Sequence, residues 1–233
     1  MSRLKVKILP ENINGKKGYD IRILSNTATV QDYLDAVNKA IENNCFYRSR
    51  AVSITDCAGC DLCCAERAPL TWVDLCRLRE YSGDSSATVQ ALLDRFGYVV
   101  VDGPVVDIML KRGQDNRCIL LDRKTKLCAA YMFRPLVCQT FICCALSRRA
   151  ELLREAVVNK GEDELVRQWL WEARASKRNP LIHEGYRAKP DLRDWPSTPF
   201  AGRVGYQEVF LKDICPEKLW RELIKNEERD RNA

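Results

Sequence analysis

Four cysteines stand within eight residues, at Cys57, Cys60, Cys63 and Cys64, in the spacing C-x2-C-x2-C with one more thiol appended. A second cysteine-rich stretch follows at Cys118, Cys128, Cys138, Cys143 and Cys144. The whole chain has 12 cysteines and one histidine. A metal bound here is therefore bound by sulfur, and a chain that gathers thiols in this way folds around what they hold.

A disulfide framework is the competing explanation. Twelve cysteines in 233 residues fall below the density of about 8–10% that marks a disulfide scaffold. Cys63 and Cys64 are also adjacent. The N-terminal segment has no apolar signal core, and no apolar run reaches the length of a membrane span. The expected compartment is the cytoplasm, where thiols stay reduced. The formal charge of +6 is spread among interleaved acids and bases. No concentrated basic face appears, so neither nucleic acid nor membrane is expected as a partner.

The remaining sequence predicts an α+β fold, mainly helical, with small antiparallel hairpins around a cysteine-ligated metal centre. Leu4, Val6 and Ile8 alternate with charge, as do Tyr19, Ile21 and Ile23, and Asn14-Gly15 lies between them, which reads as a two-stranded opening hairpin with a longish loop. Thr29 with Asp32, and Thr71 with Asp74, have the spacing of helix caps. The second opens a helix with Trp72, Leu75, Cys76 and Leu78 inward. A further helix over 88–96 is expected to stop at Gly97. Residues 98–101 and 105–110 form a hairpin around Asp102-Gly103-Pro104, and 118–128 a tighter one with a cysteine on each arm. Residues 147–175 are helical with a break near Gly161, and Pro216 opens a last helix. Trp169 and Trp171 are expected in a helix core. The expected division is a hairpin and helix over 1–44, a metal-binding domain over 45–146, and C-terminal helices with ordered loop over 147–233.

In C-x2-C-x2-C, three thiolates curl around one centre and a distant cysteine completes it, as in ferredoxins. Two separated C-x2-C knuckles would instead suit structural zinc. The tripled knuckle favours a [4Fe–4S] cluster on Cys57, Cys60, Cys63 or Cys64, and a downstream cysteine, with Cys138 preferred. Cys63 and Cys64 would point apart in an extended chain, and the thiols outnumber one four-ligand site. Pro135 fixes the approach to Cys138. Arg134 is placed to favour thiolate formation, and Tyr131 to donate to sulfur or to pack. Cys45, Cys76 and Cys215 stand alone and are expected to be buried.

This pattern, C-x2-C-x2-C-C followed by C-x2-Y-x2-R-P-x2-C at Cys128, Tyr131, Arg134, Pro135 and Cys138, resembles the CxxCxxCC family of YkgJ-type cysteine-cluster proteins, which chelate zinc or iron. The resemblance runs from about Cys57 to Phe141. It implies that Cys57, Cys60, Cys63, Cys64, Cys118, Cys128 and Cys138 are the family's shared cysteines. The wider family includes flagellin lysine-N-methylases, which carry an iron–sulfur cluster. An arginine and an aromatic–Pro pair commonly follow the family's last cysteine. Here Gln139-Thr140-Phe141-Ile142 stands instead, so Arg134 alone carries over.

Phosphate loops and dinucleotide fingerprints are absent. The C-x3-C-x2-C of radical chemistry fails because Arg67 occupies its last position. The lone His183 gives no multi-histidine site and is expected in a loop or at the surface. The resulting expectation is a cytoplasmic iron–sulfur protein with a redox or cluster-supported modifying role and a protein or redox partner. Its activity is open between oxidoreductase and methyltransferase-like chemistry. The alternatives are a structural zinc module for interactions and a metal storage or delivery protein.

Overall fold

The computed structural model describes residues 4–43, 61–141 and 143–224. In chain order its elements are β1 (Val6–Ile13), β2 (Lys16–Ile23), α1 (Val30–Glu42), α2 (Trp72–Ser82), α3 (Val89–Phe96), β3 (Gly97–Asp102), β4 (Val105–Leu110), α4 (Leu136–Thr140), β5 (Ala145–Leu146), α5 (Arg148–Ala175), β6 (Glu184–Tyr186), α6 (Leu211–Ile214) and α7 (Glu217–Ile224). The α+β expectation holds. The described residues fall into two compact units, one built from 4–43, 143–157 and 206–224 and the other from 61–141 and 158–205.

The first unit begins with the predicted hairpin, but its loop is Asn14-Gly15 alone rather than the longish one expected, because the strands pair up to Ile13 and Lys16. Asn14 (φ 51°) and Gly15 (φ 78°) both take left-handed backbone, the requirement of a two-residue turn that matches strand twist. The register then pairs Ile8 with Ile21 and Val6 with Ile23. β5 adds a parallel third strand beside Gly18 and Tyr19. Thr29 and Asp32 form a reciprocal capping box on α1, which buries Val30, Tyr33, Leu34 and Val37. Tyr19 and Tyr33 bring their hydroxyls together in this core, and burial pushes Tyr33 up to about 12. Asp20 meets Arg149 in a forked ion pair, with both carboxylate oxygens 2.8 Å from Nε. Burial alone would raise its carboxyl, but hydrogen bonds from Arg149 and Ser147 hold it low.

The second unit packs α2, α3 and the later part of α5 against a sheet of order β4-β3-β6. β3 and β4 form the predicted hairpin, with Val99 opposite Ile108. β6 joins it in parallel. Leu75, Leu78, Leu92, Leu93, Val99, Ile108 and Trp169 make its core. Glu172 reinforces the cap of α3 by accepting from the Val89 (2.7 Å) and Gln90 (3.0 Å) amides. His183 is half-buried. Its Nδ1 accepts from the Val99 amide at 3.0 Å and its ring stacks on Tyr98. Burial, helped by Lys111, lowers its pKa and favours the neutral ring that this bond needs.

Three further expectations are corrected. The helix over 148–175 runs unbroken through Gly161. That glycine instead lets the helix approach Thr71, because a Cβ there would lie 2.6 Å from Thr71 Cβ. Val73 and Asp74, not Trp72 and Cys76, are buried with Leu75 and Leu78 on α2. Trp171 is exposed while Trp169 is fully buried. As expected, α3 stops at Gly97, whose amide donates to the Leu93 carbonyl and whose extended backbone begins β3. Cys215 is buried, also as expected. Cys45 lies outside the described residues.

Glu162, on α5, accepts from the Ile108 amide at 3.1 Å. Burial lifts its carboxyl to about 7, against the hydrogen bond and with some help from Asp107 and Asp163. The folded value exceeds the unfolded one, so its contribution is fully present below the unfolded value and is lost as pH rises through about 7. Glu162→Gln keeps the acceptor and removes the charge. The variant should be more stable by about 1–2 kcal/mol at pH 8 and nearly unchanged at pH 4.5. Urea unfolding at the two pH values checks this, and an equal effect at both would contradict it.

Candidate metal centre

The octet enters the described residues at Asp61; Cys57 and Cys60 lie outside them. Leu62–Ala65 is a single turn of 3-10 helix. Cys63 and Cys64 are therefore not splayed by an extended chain, and their thiols hydrogen-bond to each other. That bond raises Cys63 and lowers Cys64, so the pair yields one thiolate more readily than two.

The later stretch lies directly against this turn. The Cys118 amide donates to the Cys64 carbonyl at 2.8 Å. Arg112 donates to the Ala65 carbonyl at 2.7 Å. Asp61 accepts from Lys126 at 3.0 Å and also pairs with Arg117. Lys126, then Arg117, hold its carboxyl below the usual range. Exposed ion pairs contribute little stability, so the role of Asp61 is chiefly to set the position of the turn.

The expected hairpin over 118–128 is reduced to isolated bridges, Arg112 with Cys118 and Leu121 with Cys128. Between them Asp122 accepts from the amides of Lys124 (2.8 Å) and Thr125 (3.1 Å), closing the turn. Each flanking cysteine receives a backbone hydrogen bond from two residues on. Leu120 N donates to Cys118 Sγ at 3.4 Å, and Ala130 donates to Cys128. Such N–H···S bonds stabilise negative charge on sulfur.

Cys138 sits in α4, which Pro135 opens with extended backbone. Burial pushes its thiol up, and the charges of Cys118, Asp74, Cys63 and Cys128 push it further. Cys64 in turn feels Cys118, Cys138 and Cys128. These five thiols are thus electrostatic neighbours drawn from both stretches. Arg134 lies 3.9 Å over the Tyr131 ring and donates to the Tyr131 carbonyl at 3.1 Å. Tyr131 thus serves as a platform for the guanidinium. The bond to Cys64 raises Cys63 and burial raises Cys128, and the charge of Arg134 opposes both shifts without overcoming them.

Among the described residues no disulfide is formed, and no group of three or more cysteine, histidine or acidic side chains is arranged to hold a metal ion. Cys143 and Cys144 belong to the first unit, where Cys144 acts on Tyr19. Sequence reasoning missed Asp61 as the anchor of the turn and read Asp74 only as a cap. The donor chemistry nonetheless suits a soft metal: thiols without histidine, amide donors aimed at two sulfurs, and one guanidinium among them.

Residues 56–164 match the family model "CxxCxxCC: Putative zinc- or iron-chelating domain", the family whose motifs the sequence resembles. No curated protein matches the chain, and no solved structure does. Among the described residues no helix is long and apolar enough to cross a membrane.

Proposed function

We propose that this protein is a cytoplasmic iron–sulfur protein whose [4Fe–4S] cluster has a redox role or supports a modifying reaction. Cys57, Cys60, and Cys63 or Cys64 would hold it together with Cys138, while Cys118 and Cys128 supply further thiols. The observation that carries this reading is that the Cys118 amide bonds to the Cys64 carbonyl, bringing thiols of the two stretches within electrostatic reach of one another beside N–H···S donors and the Arg134 charge. Such a cluster supplies one-electron transfer. The chain's own part is to spread negative charge from sulfur onto the Leu120 and Ala130 amides and Arg134, which sets the potential.

A structural zinc site is the second reading, favoured by the paired amide bonds at Cys118 and Cys128. Anaerobic purification followed by iron, acid-labile sulfide and zinc analysis separates the two. The proposal expects brown protein with iron and sulfide, a broad absorption near about 400 nm and bleaching by dithionite. Stoichiometric zinc without sulfide would replace the cluster by zinc. An ion that exchanges readily with a competing chelator would indicate delivery.

A further inference from the structure

One face of α2 addresses the segment that carries Cys138. Asp74, Arg77 and Tyr81 are spaced three and four residues apart and so share that face. Asp74 is fully buried. One of its carboxylate oxygens, Oδ2, accepts from the Thr71 amide and hydroxyl, each at 2.9 Å. The other, Oδ1, accepts from the amide of Leu136 at 2.8 Å. Leu136 is the first residue of α4, two before Cys138. One turn on, Arg77 donates to the carbonyl of Met132. Tyr81 then packs on Phe133, with ring centroids 5.8 Å apart. The backbone is therefore held on both sides of Arg134-Pro135.

We propose that Asp74 and Arg77 are positioning residues for the metal centre, fixing Cys138 through the Leu136 amide and the Met132 carbonyl. The inference rests on the metal-binding reading above. A helix cap needs only one carboxylate oxygen, and Asp74 gives its other to the ligand-bearing segment. α4 has five residues and Pro135 before it, so it has little hydrogen bonding of its own to hold Cys138 in place. Groups that orient metal ligands typically change metal affinity by about 10–100-fold when removed.

The test uses the full chain, stripped of metal, kept reduced and titrated anaerobically with Co(II), read by thiolate-to-metal absorption. Thr71→Ala damages the cap but leaves Asp74 bonded to Leu136. Asp74→Asn also damages the cap, because an amide nitrogen then faces the Thr71 amide, yet Oδ1 still accepts from Leu136. Asp74→Ala loses both. Thr71→Ala and Asp74→Asn should lower the unfolding midpoint with little change in Co(II) affinity. Asp74→Ala should weaken Co(II) about tenfold beyond either. Equal affinities for Asp74→Ala and Thr71→Ala, or Asp74→Asn as weak as Asp74→Ala, would overturn the inference.

Should Asp74→Ala fail to fold, Arg77→Met decides. An affinity about threefold weaker at an unchanged unfolding midpoint supports the inference, and an unchanged affinity overturns it. A parent chain that gives no thiolate absorption with Co(II) overturns the metal reading itself, and this inference with it, before any substitution is compared.

Discussion

Cys138→Ser should release the metal and lower the stability of the protein by about 3 kcal/mol or more, out of the roughly 10–16 kcal/mol that metal binding supplies at structural zinc sites. Serine is close in size, so packing is nearly conserved and the lost ligand dominates. Cys215→Ser is the control. Cys215 is buried, and burial alone lifts its thiol to about 12. It is not among the thiols that act on Cys138. Metal per chain and thermal unfolding, measured for both variants, check the prediction. Full metal content in Cys138→Ser would remove that residue from the ligand set. Metal loss in Cys215→Ser would mean that the site responds to any core change.

Gly161→Ala should destabilise the protein by about 2 kcal/mol, opposite in sign to the usual gain of about 1 kcal/mol for this change inside a helix. The added Cβ would lie 2.6 Å from both Cβ and Cγ2 of Thr71 and 3.3 Å from the Phe200 ring. Thr71 is fully buried and caps α2, so it has little room to yield. Overpacking of this kind costs about 1–3 kcal/mol, and disturbing the cap adds about 1 kcal/mol. Urea unfolding measures the difference. A variant as stable as the parent, or more so, would show that Thr71 moves freely and that the approach of α5 is loose.

What was legible in the sequence depended on distance along the chain. The Asn14-Gly15 turn and the caps at Thr29 and Thr71 have their determinants within three residues, and they form where the sequence places them, the turn being tighter than read. Gly161 was legible as a glycine but not in its purpose, because its partners Thr71 and Phe200 are remote in sequence. The third strand of each sheet, β5 or β6, has two or three residues, too few for alternation to register. In the candidate site the thiols were legible by type and spacing. Their setting was not: Asp74 reaches 62 residues to Leu136, and Asp61 reaches 65 to Lys126. A carboxylate near a cap looks the same in sequence whether it serves one partner or two.

If sulfur atoms from both cysteine-rich stretches hold one inorganic centre, as proposed, X-ray absorption at the edge of the bound metal reads their number and kind. The predicted result is a first shell of sulfur alone at about 2.3 Å. A shell containing nitrogen or oxygen at about 2.0–2.1 Å in place of those sulfurs would contradict it.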